Sequence, residues 1–202
     1  MPRIKWLGII KDDLGQYQKG NLPTNEKKVN IPDDMDEVMV KSIPFQIVAI
    51  AFIAISIFTK VYISKHFPFN PITMIIGFII GFAALIIHEL LHAIVYPKDA
   101  TVYVGIYPKS FAAVALSAYP LKRWRFMLMS LLPTMLGIIP IVLFWVLPSE
   151  FNLINGLLIG MAMMGLTSPS VDMYNVYKVI KETPRGCIMQ FNGDSLYYYE
   201  GK

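Results

Sequence analysis

Residues 88–92 read His88, Glu89, Leu90, Leu91, His92, and on a helix the i, i+4 spacing sets both imidazoles on one face. Two imidazoles so placed can bind one zinc ion, with the carboxylate of Glu89 beside them as general base. With 3 His and 6 Glu in 202 residues, an HExxH arises by chance on the order of once in a thousand such sequences. A catalytic zinc needs a third protein ligand and an open position. Apart from Glu89, the one acidic side chain within a long apolar run is Asp172, which makes it the candidate third ligand. Asn175, one turn beyond, is a candidate for orienting a ligand or the substrate, or equally a helix-packing amide. His66, the remaining histidine, lies in a polar stretch before the run that carries HELLH.

The elements that must position these residues are membrane spans. Of the 202 residues 55% are hydrophobic and 16% charged, and the mean hydropathy is +0.51. That balance excludes an ordinary soluble domain, whose charged share is near 25%. The expected fold is an α-helical integral membrane protein of four transmembrane helices: Pro44 to Tyr62, Thr73 to Tyr96, Phe126 to Leu147 and Leu153 to Ile180. Lys60, near the end of the first, is expected to snorkel. An ionisable group inside a span costs about 2.5–3.5 kcal/mol on insertion scales, so His88, Glu89, His92 and Asp172 call for a function.

Of the 18 Lys and Arg, 16 fall before the first span, between the second and third, or after the fourth, against 2 around the first loop. The expected topology is therefore multi-pass in the cell membrane with both termini cytoplasmic. Three parts follow: a cytoplasmic arm over 1–43, a membrane domain over 44–180 carrying the zinc site, and a cytoplasmic tail over 181–202. The arm reads as solvated, with a short interfacial stretch at Ile4 to Ile10. No cleaved leader is expected there. The single Cys187 cannot close an intramolecular disulfide. The net charge of +4 is spread between apolar segments, which fits a lipid bilayer as partner and no nucleic acid.

Two small cytoplasmic β-hairpins are expected. Val102, Val104 and Ile106, then Val114, Leu116 and Ala118, alternate about a turn at Pro108, Lys109 and Ser110. At the carboxyl end, Cys187 to Phe191 and Leu196 to Tyr199 flank an Asn192, Gly193 turn. Lys122, Arg123 and Arg125 around Trp124 read as an anchor to anionic headgroups.

A span ending in HELLH, a strand-rich loop, a third span with Leu131, Leu132 and Pro133, and a fourth with Asp172 and Asn175 together resemble a family of small bacterial zincin membrane peptidases. That family was long catalogued as a domain of unknown function. Spans two to four are also distantly similar to the site-2 proteases, intramembrane metalloproteases whose zinc is held by two histidines and a distant aspartate. One departure is that Met173 follows Asp172, where that pattern has glycine. The resemblance implies a membrane-embedded zinc metallopeptidase with Zn2+ as cofactor. His88, His92 and Asp172 would be its ligands, Glu89 its catalytic base, and a membrane protein or peptide its substrate. The alternatives are a metal-ion carrier and a non-catalytic membrane scaffold with a structural metal.

Overall fold

Apolar runs without strand alternation make helices, and helix signals in the sequence mark where they begin. The computed structural model describes every residue except Asp12, Lys109, Ser110, Phe111 and Lys202. Helix α1 spans Met35–Ser64, nine residues ahead of the expected span. Asp34 accepts from the backbone N–H of Asp36 at 3.3 Å, and Asp36 and Glu37 occupy the first turn, where the helix dipole favours anions. Pro44 lies inside the helix without ending it.

Helix α2, Pro71–Ala83, starts on Asn70, whose side chain accepts from the N–H groups of Ile72 and Thr73, with Pro71 in the first turn. A break at Ala84 separates it from α3, Leu85–Ile94. Helix α4, Arg123–Leu131, passes through a single 3-10 turn at Leu132–Thr134 into α5, Met135–Val146. Helix α6, Asn152–Thr167, is separated by Ser168 and Pro169 from α7, Ser170–Glu182. Pro169 has no N–H for the α6 ladder but is compatible with the start of α7.

Among the described residues, two helices, Met35–Ser64 and Arg123–Val146, are long and apolar enough to cross a membrane. The number rises to four if the pairs α2 with α3 and α6 with α7 each count as one broken span.

Among the described residues, seven strands form two sheets. Strands β1 (Arg3–Ile9), β3 (Thr101–Tyr107) and β4 (Ala112–Leu116) make one, in the order β1-β3-β4. Strands β2 (Lys27–Lys28), β5 (Leu121–Lys122), β6 (Ile188–Asn192) and β7 (Ser195–Tyr199) make the other, in the order β2-β7-β6-β5. Both expected hairpins are present: β3 pairs antiparallel with β4, and β6 with β7. Of the first turn, Lys109 and Ser110 lie outside the described residues. In the second, Asn192 pairs with Ser195, so the turn is Gly193 and Asp194, one residue later than expected. Gly193 takes the positive φ of 62° that this tight turn demands.

Within the stretch expected as interfacial, Ile4 to Ile10, the residues up to Ile9 belong to β1, paired parallel with β3 from Arg3↔Thr101 to Ile9↔Ile106, with Ile4, Trp6 and Ile9 exposed and Ile10 buried just beyond the strand. Its register shifts between Trp6 and Gly8, where Gly8 has φ 70° and the strand bulges.

The chain divides into two compact units. One comprises Met1–Lys41, Ile86–Leu132 and Val171–Lys202, and holds both sheets. Its core runs from Ala93, Val95 and Tyr96 at the end of α3 through Val102 and Val104 of β3 to Phe126, Met129, Val179 and Met189. The other comprises Ser42–Leu85 and Pro133–Ser170, with a core of Ala49, Ile53, Ile141, Phe144, Ile159, Ala162 and Leu166.

Candidate metal centre

Helix α3 has no Gly or Pro within it, and its apolar residues Ile86, Ile87 and Ile94 are exposed while His88, His92 and Ala93 are buried. Its last turn tightens, with the N–H of Val95 on the His92 carbonyl and that of Tyr96 on the Ala93 carbonyl, before Pro97 prevents continuation. His88 and His92 therefore point inward from one face, their ring centroids 4.8 Å apart and the planes at 76°. Asp172 comes from the first turn of α7, where the positive end of the helix dipole favours its charge.

The three residues meet. Nε2 of His88 is 3.1 Å from Nε2 of His92 and 3.4 Å from Oδ2 of Asp172, and the remaining edge, His92 Nε2 to Asp172 Oδ2, is 3.5 Å. Among the described residues this trio is the one group of His, Cys, Asp or Glu side chains that could hold a metal ion. Donors about 2.0–2.1 Å from a tetrahedral zinc lie about 3.4 Å from one another, so these edges fit such an ion with its fourth position left open.

The donor chemistry agrees with the spacing. The Met129 carbonyl can only accept, so His92 donates to it from Nδ1 at 2.7 Å, which leaves Nε2 bare in the neutral ring. A bare nitrogen facing a second imidazole nitrogen and a carboxylate oxygen is an arrangement that a cation stabilises.

Glu89 sits one residue on from His88, its Oε1 3.8 Å from His88 Nε2 and its side chain 14% exposed. The backbone of Ala115 in β4 lies beside its carboxylate. Asn175, three residues after Asp172 on α7, is half-buried, and its Oδ1 is buried without a hydrogen-bond partner among the described residues. His66 is exposed in the loop after α1, where its carbonyl accepts from Ser64.

Three participants escaped the sequence reading. The Met129 carbonyl and the backbone of Ala115 have no side-chain signature. The third is the arginine pair. Arg125 donates from Nε to the Val95 carbonyl at 2.6 Å, just past α3. Arg123 donates from Nε to Thr183 Oγ1 at 3.0 Å and from Nη2 to the carbonyls of Val179 and Ile180 at 3.3 Å, in the last turns of α7. Both guanidiniums of the expected headgroup anchor bond to helix ends, while its other members, Lys122 and Trp124, are exposed.

Two histidines and a carboxylate around one point, with a second carboxylate alongside, define a site of the zinc metallopeptidase type. The chain belongs to the family described as "Putative zincin peptidase", whose model matches residues 81–188, a range that takes in His88, Glu89, His92, Asp172 and Asn175. A family of that description points to a zinc metallopeptidase. No curated protein and no solved structure matches the chain.

Proposed function

We propose that this chain is a membrane-embedded zinc metallopeptidase that hydrolyses peptide bonds in or near the bilayer, in the manner of the site-2 proteases its motif resembles. The observation that carries the reading is the triangle of His88, His92 and Asp172 donors with edges of 3.1, 3.4 and 3.5 Å, with the Glu89 carboxylate beside it.

His88, His92 and Asp172 would hold the ion. Zinc in that position supplies a Lewis acid that polarises a scissile carbonyl and acidifies water. Glu89 accepts the proton of the attacking water at its carboxylate and returns it to the leaving amine nitrogen. Asn175, with a buried oxygen left to accept, takes an N–H of the substrate. A helix shields its own amides, so the substrate is bound extended. Strand β4 lies at the edge of its sheet and carries Ala115 against Glu89, which supports pairing of the extended segment along that edge.

The same reading makes the broken pairs α2 with α3 and α6 with α7 single spans, four in all with Met35–Ser64 and Arg123–Val146. The distribution of basic residues supports a topology with both termini in the cytoplasm. The substrate is a membrane protein or peptide. A carrier needs a relay of ligands, and among the described residues the trio has no second such group to pass an ion to.

The test is elemental analysis of the detergent-purified chain together with turnover on a peptide library. About one zinc per chain is expected in the parent and in Glu89→Gln, which should lose turnover at least about a hundredfold. His88→Ala should lose the metal and Asp172→Asn should hold it more weakly. A parent that takes up no zinc at neutral pH would sink the reading, and so would a Glu89→Gln variant that cleaves at the parent rate.

A further inference from the structure

Two of the three ligands lie on one helix, where the i, i+4 repeat fixes their mutual distance. The third comes from another helix, so the site forms only if α3 and α7 are held at one separation and one rotation. Among the described residues, Ala93 of α3, Phe126 and Met129 of α4 and Val179 of α7 share one apolar core. Long side chains from the first turn of α4 add polar ties to the ends of both ligand helices.

That turn is itself fixed. Leu121 and Lys122 pair with Met189 and Ile188 of β6, and the backbone N–H of Arg123 donates to the Cys187 carbonyl at 2.9 Å. From this base Arg125 reaches the Val95 carbonyl beyond α3, and Arg123 reaches Val179, Ile180 and Thr183 at the end of α7. Thr183 Oγ1 donates in turn to the Val179 carbonyl at 2.7 Å, which ties the guanidinium partner back into the helix. About one turn past Arg125 on α4, the Met129 carbonyl holds His92 by its Nδ1. One short helix therefore touches the end of each ligand helix and one of the ligands. The last carbonyls of a helix lack internal donors and carry its negative pole, so a guanidinium is the side chain that closes such an end most firmly.

We propose that α4 is the gauge of the metal centre. Arg125 on the end of α3 and Arg123 on the end of α7 are positioning residues that set the distance at which Asp172 meets His88 and His92, and the Met129 carbonyl fixes the tautomer of His92. The proposal rests on the metal reading above. It assigns to two arginines a role in metal affinity although neither approaches the ion.

The experiment measures the zinc dissociation constant by chelator competition, and the visible spectrum of the cobalt-loaded protein, for the full chain in detergent. The variants are Arg123→Met, Arg125→Met, the corresponding Lys variants, and Thr183→Val. Lys178→Met, which removes an ion pair with Glu182 on α7, serves as the stability control. Each Met variant is expected to weaken zinc binding about tenfold, the lower end for outer partners of metal ligands, and to shift the cobalt bands. The Lys variants should recover part of the loss, since an ammonium can reach one carbonyl but lacks the planar fork. Thr183→Val should weaken binding a fewfold, and Lys178→Met should lower the thermal midpoint with zinc affinity unchanged.

Arginine variants that lose thermal stability but bind zinc within about twofold of the parent, with unchanged cobalt spectra, would overturn the proposal. If the Met variants do not fold, the Lys and Thr183 variants decide it by the same criterion. A parent that binds zinc and loses it in His88→Ala, beside arginine variants at parent affinity, removes the gauge and leaves the metal site standing. A parent without zinc removes both.

Discussion

The two units join their helices by opposite means. In the unit built from Ser42–Leu85 and Pro133–Ser170, glycines let backbones touch. A Cβ on Gly77 would overlap the backbone of Leu157, one on Gly160 the carbonyl of Met74, and Gly137 and Gly165 lie against each other's backbone. In the unit that holds the sheets, helices are linked by side chains: Arg123 and Arg125 on helix ends, and His92 on the Met129 carbonyl. Small residues maximise dispersion between helices by letting backbones approach closely. Close approach also leaves no room for a substrate or an ion. The histidines, Glu89 and Asp172 are found in the side-chain-linked unit.

The largest effect should come from filling a backbone contact. Gly160→Ala places a methyl against the Met74 carbonyl and the backbone of Gly77 and Phe78, none of which can rotate away. Overpacking usually costs about 1–3 kcal/mol, and contact with rigid backbone puts this variant at or above the upper end. The thermal midpoint and the monodisperse fraction in detergent should both drop sharply. Zinc per folded molecule should stay at the parent value. An unchanged midpoint would break the contrast between the units, because it would mean that α2 and α6 are not in backbone contact.

Next in size is Lys60, the buried cation of the glycine-packed unit. Its ammonium donates to the Phe144 carbonyl and, at 2.6 Å, to the Leu147 carbonyl, and it lies 4.2 Å from the centroid of the Phe144 ring. The sequence suggested a snorkelling side chain; instead it closes the carboxyl end of α5, the same device that the arginines use on α3 and α7. Lys60→Met leaves two carbonyls without donors and should cost about 1–3 kcal/mol. Denaturant or thermal unfolding would measure it, and a loss of zinc affinity of similar size to that of the arginine variants would erase the distinction between the units.

How legible these features were follows from their range along the chain. HELLH is a local pattern, and its geometry on a helix needs no tertiary information. Asp172 was found by elimination, because a carboxylate in an apolar run stands out although it lies 80 residues beyond His92. The break before α7 was signalled by Pro169, whereas that at Ala84 has no proline and no signal. Strand β1 was missed because its partner β3 begins at Thr101 and its own residues lack a clean alternation. The bonds of Arg123 and Arg125 to helix carbonyls were not legible for a physical reason: a basic cluster beside a tryptophan at the start of a span suits lipid headgroups and helix carbonyls equally.

The smallest effect belongs to the surface of the sheet-bearing unit, and it tests whether side-chain linkage matters there as it does near the metal ligands. Lys28 in β2 donates to both oxygens of Asp33, at 2.8 and 2.6 Å, and Ser195 at the start of β7 donates to Oδ1 at 2.6 Å. The lysine first, and the serine after it, hold the Asp33 carboxyl below its ordinary range. A depressed carboxylate pKa stabilises the fold above the unfolded value of about 3.9, and the gain disappears as the pH falls through the lower folded value. The Lys28 and Asp33 side chains are 41% and 56% exposed, so solvent screening keeps the contribution within about 1 kcal/mol. The midpoint difference between the parent and Asp33→Asn should therefore be constant from neutral pH to about pH 4, close below it, and shrink in about 1 M salt. A difference that persisted in acid would assign Asp33 a packing role. A difference as large as that of Lys60→Met would mean that surface linkage holds the sheet-bearing unit together as strongly as a buried helix cap holds the other.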